Sequence, residues 1–231
     1  MIVSNRQAAP GLVLTVMCAG MFLVLLDVTV VNVALPAIAS DLDTGAAGLQ
    51  WVVDGYAVAI ASLLLAGGTL GDRFGHRRVV LAGLVAFGVA SLGCGLAPGT
   101  GVLVAARAVQ GAGAALLLPG SIAVITDAYR ERAAQARALG IWAGVSSLAL
   151  PAGPLLGGTL VTAAGWRLVF LVNIPVVLVV SVAVLWLVRP ARWRRERRLD
   201  LPGMALAMLA LGAVIFTVID EGHHGVNVGW V

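Results

Sequence analysis

An all-α integral membrane protein is the fold class this sequence predicts, on three observations. Sixty per cent of its 231 residues are hydrophobic, only 11% are charged, and the mean hydropathy is +1.01; a soluble domain carries about a quarter charged residues. The apolar residues fall into blocks long enough to cross a bilayer, which takes about 20 residues. None of the blocks alternates polar with apolar residues, as a transmembrane barrel would require.

Taken in order, seven blocks emerge. The first, over 12–38, is too long for a signal peptide, contains Asp27 and is followed by six more, so it reads as an uncleaved first helix. After the turn SDLDTGAAG comes a second block over 50–70, and after the loop GDRFGHRR a third over 79–97. The short turn APGTG leads to a fourth over 101–125, and DAYRERAAQAR to a fifth over 136–161. AAGWR precedes the sixth, over 168–188, and RPARWRRERRLDLPG precedes the seventh, over 203–220.

All 15 basic residues are arginine, and their placement predicts topology. Arg6 precedes the first span, and Arg73, Arg77 and Arg78 follow the second. Arg130, Arg132 and Arg137 follow the fourth, and Arg189, Arg192, Arg194, Arg195, Arg197 and Arg198 follow the sixth. On the other side lies only Arg167, while Arg107 sits inside a span. This bias places the N-terminus in the cytoplasm. The pI near 10.0 therefore reflects topology and anionic headgroups, and is no sign of nucleic-acid binding. Cys18 and Cys94 fall inside spans, with no metal or redox spacing. His223 and His224 lack a third ligand and read as loop.

Charge inside hydrocarbon is costly and normally faces a cavity or a partner. Asp27, in FLVLLDVTVVNVALP, should lie roughly 16 Å from the outer end of its helix, and Arg107, in VLVAARAVQGAGAALLLPG, roughly 9 Å from the same surface. A long Arg side chain closes that difference. The pair admits two readings: a purely structural ion pair, or a carboxylate that binds and releases a proton with the Arg adjusting how readily it does so. Asp54, in LQWVVDGYAVAIA, lies about one turn inside the second span. It reads as a solvated helix start or as a second acid attracting cations in an outer vestibule.

The segments GGTLGDRFGHRRVV, RAVQGAGAA and ALPAGPLLGG together resemble signatures of the major facilitator superfamily. GGTLGDRFGHRRVV resembles its loop between helices 2 and 3, through Gly68, Leu70, Gly71, Asp72, Arg73, Gly75 and Arg77, with His76 where Arg or Lys is usual. RAVQGAGAA is similar to the helix 4 motif, with Arg107, Gln110, Gly111 and Gly113 in place. ALPAGPLLGG resembles the antiporter motif through Gly153, Pro154, Gly157 and Gly158, with Ala149 in place of its first Gly. LDVTVVNVALPAI and GWRLVFLVNIPV resemble signatures of the 14-helix drug–proton antiporter branch, and QWVVDGY the subset exporting cationic drugs.

The resemblance implies an N-terminal six-helix bundle of two inverted three-helix repeats over 1–188, a basic cytoplasmic linker over 189–202, and a first extra helix with an outer loop over 203–231. It implies a secondary transporter exporting cationic or amphipathic drugs across the cell's inner membrane, driven by the proton gradient. No cofactor, metal or enzymatic set is expected, and there is no phosphate-binding loop for ATP. Asp27, Arg107 and Asp54 would serve proton and substrate coupling. The Asp72 segment, with Arg73 and Arg77 pairing within it, would latch the cytoplasmic side; Gly153, Pro154 and Gly157 would seal the cavity against proton leak. Expected partners are membrane lipids, protons, a small-molecule substrate and the missing C-terminal half, because alternating access rocks one half against another. Export of an antibiotic, lipid or metabolite, or a non-transporting half with a regulatory role, are the alternatives.

Overall fold

The computed structural model describes residues 9–190 together with Ala210 and Ala213; the seventh block and most of the basic linker lie outside them. The described residues form α1 (Pro10–Asp41), α2 (Ala46–Phe74), α3 (His76–Gly95), α4 (Thr100–Ala128), α5 (Arg132–Ser147), α6 (Ala149–Ala164), α7 (Arg167–Leu171) and α8 (Asn173–Leu187). Among the described residues, six segments are long and apolar enough to cross a membrane: α1 to α4 singly, then α5 with α6 over Arg132–Ala164 and α7 with α8 over Arg167–Leu187.

The interruptions in the last two spans follow from proline. Leu148 lies three residues before Pro151 and Val172 three before Pro175. A proline removes one intrahelical donor, and its ring crowds the carbonyl four residues back. Pro36 and Pro119, by contrast, sit inside unbroken α1 and α4.

The helices run further than the apolar blocks suggest, and the expected loop GDRFGHRR is not one. α2 continues through Phe74 and α3 starts at His76, so only Gly75 separates them. Its φ of 89° is a conformation that side-chain-bearing residues resist. Asp54 likewise lies eight residues into α2 rather than one turn, or roughly 12 Å along the axis.

α4 packs against both α2 and α3, while α1 packs against α5, α6 and α8. The first span thus associates with the fifth and sixth, and the fourth with the second and third. That exchange is what two inverted three-helix repeats produce. Glycine permits the closest approaches. A methyl on Gly113 of α4 would lie 2.7 Å from Phe87 N and 2.8 Å from Gly83 O of α3, and one on Gly111 would lie 2.9 Å from Ala59 Cβ of α2.

Candidate functional site

Between these helices lies a buried polar cluster, and most of its members come from different elements. Asp27 sits midway along α1, Ser91 and Cys94 on α3, and Arg107 and Gln110 on α4; Asn173 is the first residue of α8, just past the interruption at Val172. The Asp27 and Arg107 side chains are 0% and 1% exposed.

The hydrogen bonds close on one another. Arg107 Nη1 donates to Asp27 Oδ2 and to Gln110 Oε1 at 2.9 Å, and its Nε donates to Val52 O at 3.2 Å. The guanidinium lies over the Tyr56 ring, 4.1 Å from its centroid. Gln110 Nε2 donates to Asp27 Oδ1 and to Ser91 Oγ, both at 2.9 Å. Asn173 Nδ2 donates to the same two oxygens at 2.9 and 3.0 Å. Cys94 Sγ reaches Gln110 Oε1 at 3.6 Å. The carboxylate therefore receives donors from three side chains, which its ionised form accepts fully. An ion pair held this way is satisfied internally, as a charge in hydrocarbon must be.

The spacing along the two helices corrects the depth argument. Asp27 is 14 residues from the end of α1 and Arg107 seven from the start of α4, roughly 21 and 10 Å along the respective axes. The Arg107 side chain nevertheless reaches the Asp27 carboxylate. Asp54 stands apart from this cluster on α2, half-buried, with Oδ2 enclosed and without a hydrogen-bond partner among the described residues.

At the other end of α2, the signature segment is arranged differently from expectation. Asp72 Oδ1 lies 3.6 Å from His76 Nε2, one helical turn on. Arg77 does not pair with Asp72; its Nη2 donates to Leu185 O of α8 at 2.5 Å. One residue further along α3 than His76, Arg77 is rotated about 100° around the axis and faces the sixth span. The Arg73 guanidinium lies 5.4 Å from the centroid of the Phe74 ring. Gly68 meets nothing nearby, whereas Gly67 abuts Ala115 and Pro119 of α4 and Gly71 abuts the His76 ring.

In α6, Gly153 is pressed against Thr29 of α1, and Gly157 lies against Val30 and Val33, where a methyl would approach both at 3.2 Å. Thr29 Oγ1 donates across this seam to Ala149 O at 3.2 Å. Pro154 itself is exposed. At the far end of the bundle, Trp166 Nε1 and Arg167 Nη1 donate to Asp41 Oδ2 at 3.0 and 2.5 Å, tying α1 to α7.

Sequence reasoning missed Ser91, Asn173 and Tyr56. A complete inventory of polar side chains within the apolar blocks would have included all three.

A bundle of two inverted triplets around a buried charge network defines one half of a secondary-transporter type of membrane protein. The Major Facilitator Superfamily profile matches residues 17–219. The chain belongs to that family, which is one of transporters and not of enzymes. It is 41% identical over 211 residues to the multidrug resistance protein Stp of Mycobacterium tuberculosis, covering 91% of this chain and 38% of that protein. It is 40% identical over 226 residues to the methylenomycin A resistance protein of Streptomyces coelicolor, covering 98% of this chain and 46% of that one. It is 44% identical over 225 residues to the cephamycin export protein CmcT of Amycolatopsis lactamdurans, covering 96% of this chain and 46% of that one. The chain thus spans less than half the length of these relatives. A crystal structure of the peptide transporter POT in complex with sulfate shares the fold, with a TM-score of 0.71 at 18% identity over 95% of this chain and 47% of that one.

Proposed function

We propose that this chain forms the N-terminal half of a proton-coupled drug exporter of the 14-helix branch, which exports cationic or amphipathic compounds. The observation carrying this reading is the Asp27–Arg107–Gln110 cluster at mid-span, which joins α1 to α4. A carboxylate held only by donors can release its pair with Arg107 on taking up a proton. The guanidinium would then rest on Gln110 Oε1, Val52 O and the Tyr56 ring, all already in place. Asp54, with one oxygen enclosed and unpartnered, would draw cations toward the outer vestibule. The Asp72 segment would latch the cytoplasmic side, and the α1–α6 seam at Gly153 and Gly157 would limit leak. The energy source would be the proton gradient, with no cofactor, and the N-terminus would be cytoplasmic in the inner membrane.

The surface supports a second half as the partner. Spans two and five are the least buried of the six described, at 22% and 17% of an apolar 18-residue stretch, and have the lowest mean hydropathy, at 1.6 and 1.5. The sixth span is 33% buried with a mean hydropathy of 2.9, and exposes Trp186, Val179 and Leu178. Exposure with high hydropathy suits lipid, whereas exposure with lower hydropathy suits a protein or water-filled neighbour.

The burial of Asp27 and Arg107 favours a second reading, in which the pair fixes helix register and takes no part in coupling. Dye uptake into inverted vesicles bearing the full-length transporter separates the two. If the first reading holds, Asp27→Asn abolishes export driven by the proton gradient while the protein still inserts and folds. If Asp27→Asn still exports a cationic dye and a protonophore still stops it, the coupling role is wrong.

A further inference from the structure

Four chain segments converge on a cavity of about 260 Å³ at the arginine-rich end of the bundle. Pro10 opens α1, and His76 and Arg77 open α3. Asp127 lies in the last turn of α4 with Arg130 just beyond it, and Arg189 follows α8. Arg77, Arg130 and Arg189 thus line one cavity together with Asp127 and His76.

Two features distinguish this cavity from a scatter of topological arginines. Neither Arg77 nor Arg130 forms a salt bridge among the described residues, and Asp127 forms none either. Arg77 spends one amino group on Leu185 O, while its Nε–H is buried with no acceptor. A buried, unmet N–H of a charged group is costly and calls for an acceptor. The N-terminus of α3, which has no side-chain cap, adds its positive end to the same region. The remaining wall is apolar, from Val13, Val124, Leu187 and Val188. Forked donors beside an apolar wall suit a phosphate ester carrying a hydrocarbon chain.

We infer that this cavity binds a phosphate group, and that an anionic phospholipid of the cytoplasmic leaflet supplies it. The choice of leaflet rests on the orientation proposed above; the binding site itself does not. The lipid would bridge the starts of α1 and α3 to the ends of α4 and α8, clamping the two three-helix repeats at one end.

The test uses the 231-residue chain in nanodiscs of phosphatidylcholine containing a minor fraction of phosphatidylglycerol, with retained lipids counted by native mass spectrometry. Arg77→Gln and Arg130→Gln should each reduce retained phosphatidylglycerol about fivefold, the effect of one arginine near an anionic surface. Arg132→Gln, which removes the same charge two residues away from Arg130 and outside the cavity, should leave retention unchanged. Arg77→Lys, which keeps the charge, should retain more than Arg77→Gln, and circular dichroism confirms that each variant keeps its helices. In a second arm, inorganic phosphate is added to discs of phosphatidylcholine alone. If phosphate raises the unfolding temperature of the unsubstituted chain and not of Arg130→Gln, while phosphatidylglycerol is ignored, the phosphate site stands and its source is soluble. Equal lipid retention by all variants with no effect of phosphate overturns the site. So does a loss in Arg132→Gln as large as that in Arg130→Gln, which would reduce the effect to diffuse surface charge. The readout is binding, so its failure is separate from any failure of the export reading.

Discussion

At the scale of single residues, the question is what the Asp27–Arg107 pair costs when cut. Removing one partner strands the other charge in a low-dielectric interior, at about 3–5 kcal/mol. Arg107→Met should destabilise the chain by about that amount, and adding Asp27→Leu should restore most of it, because a matched apolar pair leaves no stranded charge. Equilibrium unfolding in mixed detergent and dodecyl sulfate checks this cycle; strictly additive losses would mean that the two groups are not coupled. Asn173→Leu removes the donor shared by Asp27 Oδ1 and Ser91 Oγ and should cost about 1–3 kcal/mol in the same assay. Asp27 and Arg107 were legible in the sequence because a full charge in an apolar block is conspicuous. Ser91 and Asn173 were not, because small neutral polar residues occur in membrane helices for packing alone, and only the folded arrangement shows that both meet one carboxylate.

Elements explain why the cluster assembles at all. α4 can touch α2 and α3 together because Gly111 and Gly113 bring their backbones into contact. Gly113→Ala should force α3 and α4 apart, at about 1–3 kcal/mol. Gly101→Ala, in the same helix but with nothing near its would-be methyl, should change stability by no more than about 0.5 kcal/mol. Thermal unfolding of the two variants side by side decides whether contact or mere helix propensity governs the effect. Gly75 acts differently: at φ 89° any side chain is strained, so Gly75→Ala should cost about 1–3 kcal/mol through the backbone itself. The apolar blocks located the six described spans in order but not their ends, because helices continue past hydrocarbon into polar residues such as Asp41, Arg73 and Asp127. The GDRFGHRR segment reads as loop by composition. One glycine suffices for the reversal, since α2 and α3 each supply the rest as helix.

For the whole molecule, the arrangement of ends carries an orientation that labelling can read. The starts of α1 and α3 and the ends of α4 and α8 gather around one cavity, so Arg77, Arg130 and Arg189 share a side of the bundle. Asp41, at the end of α1, is tied to Trp166 and Arg167 at the start of α7, so those ends share the other. The exposed Asp41–Arg167 pair should add little to stability, as surface pairs do, and its value lies in marking that face. If the arginine bias sets topology, the arginine-rich face is cytoplasmic. Both native cysteines are buried, so background labelling is low. Ala46→Cys, exposed at the start of α2, and Glu131→Cys, exposed just before α5, then report opposite sides. In intact cells an impermeant maleimide should label Ala46→Cys and spare Glu131→Cys, which should react only after permeabilisation. The reverse pattern would invert the bundle, placing Asp54 on the cytoplasmic side and removing its role in an outer vestibule. Labelling of both positions in intact cells would mean that the two faces do not lie on opposite sides of the membrane, and the six-span reading itself would fail.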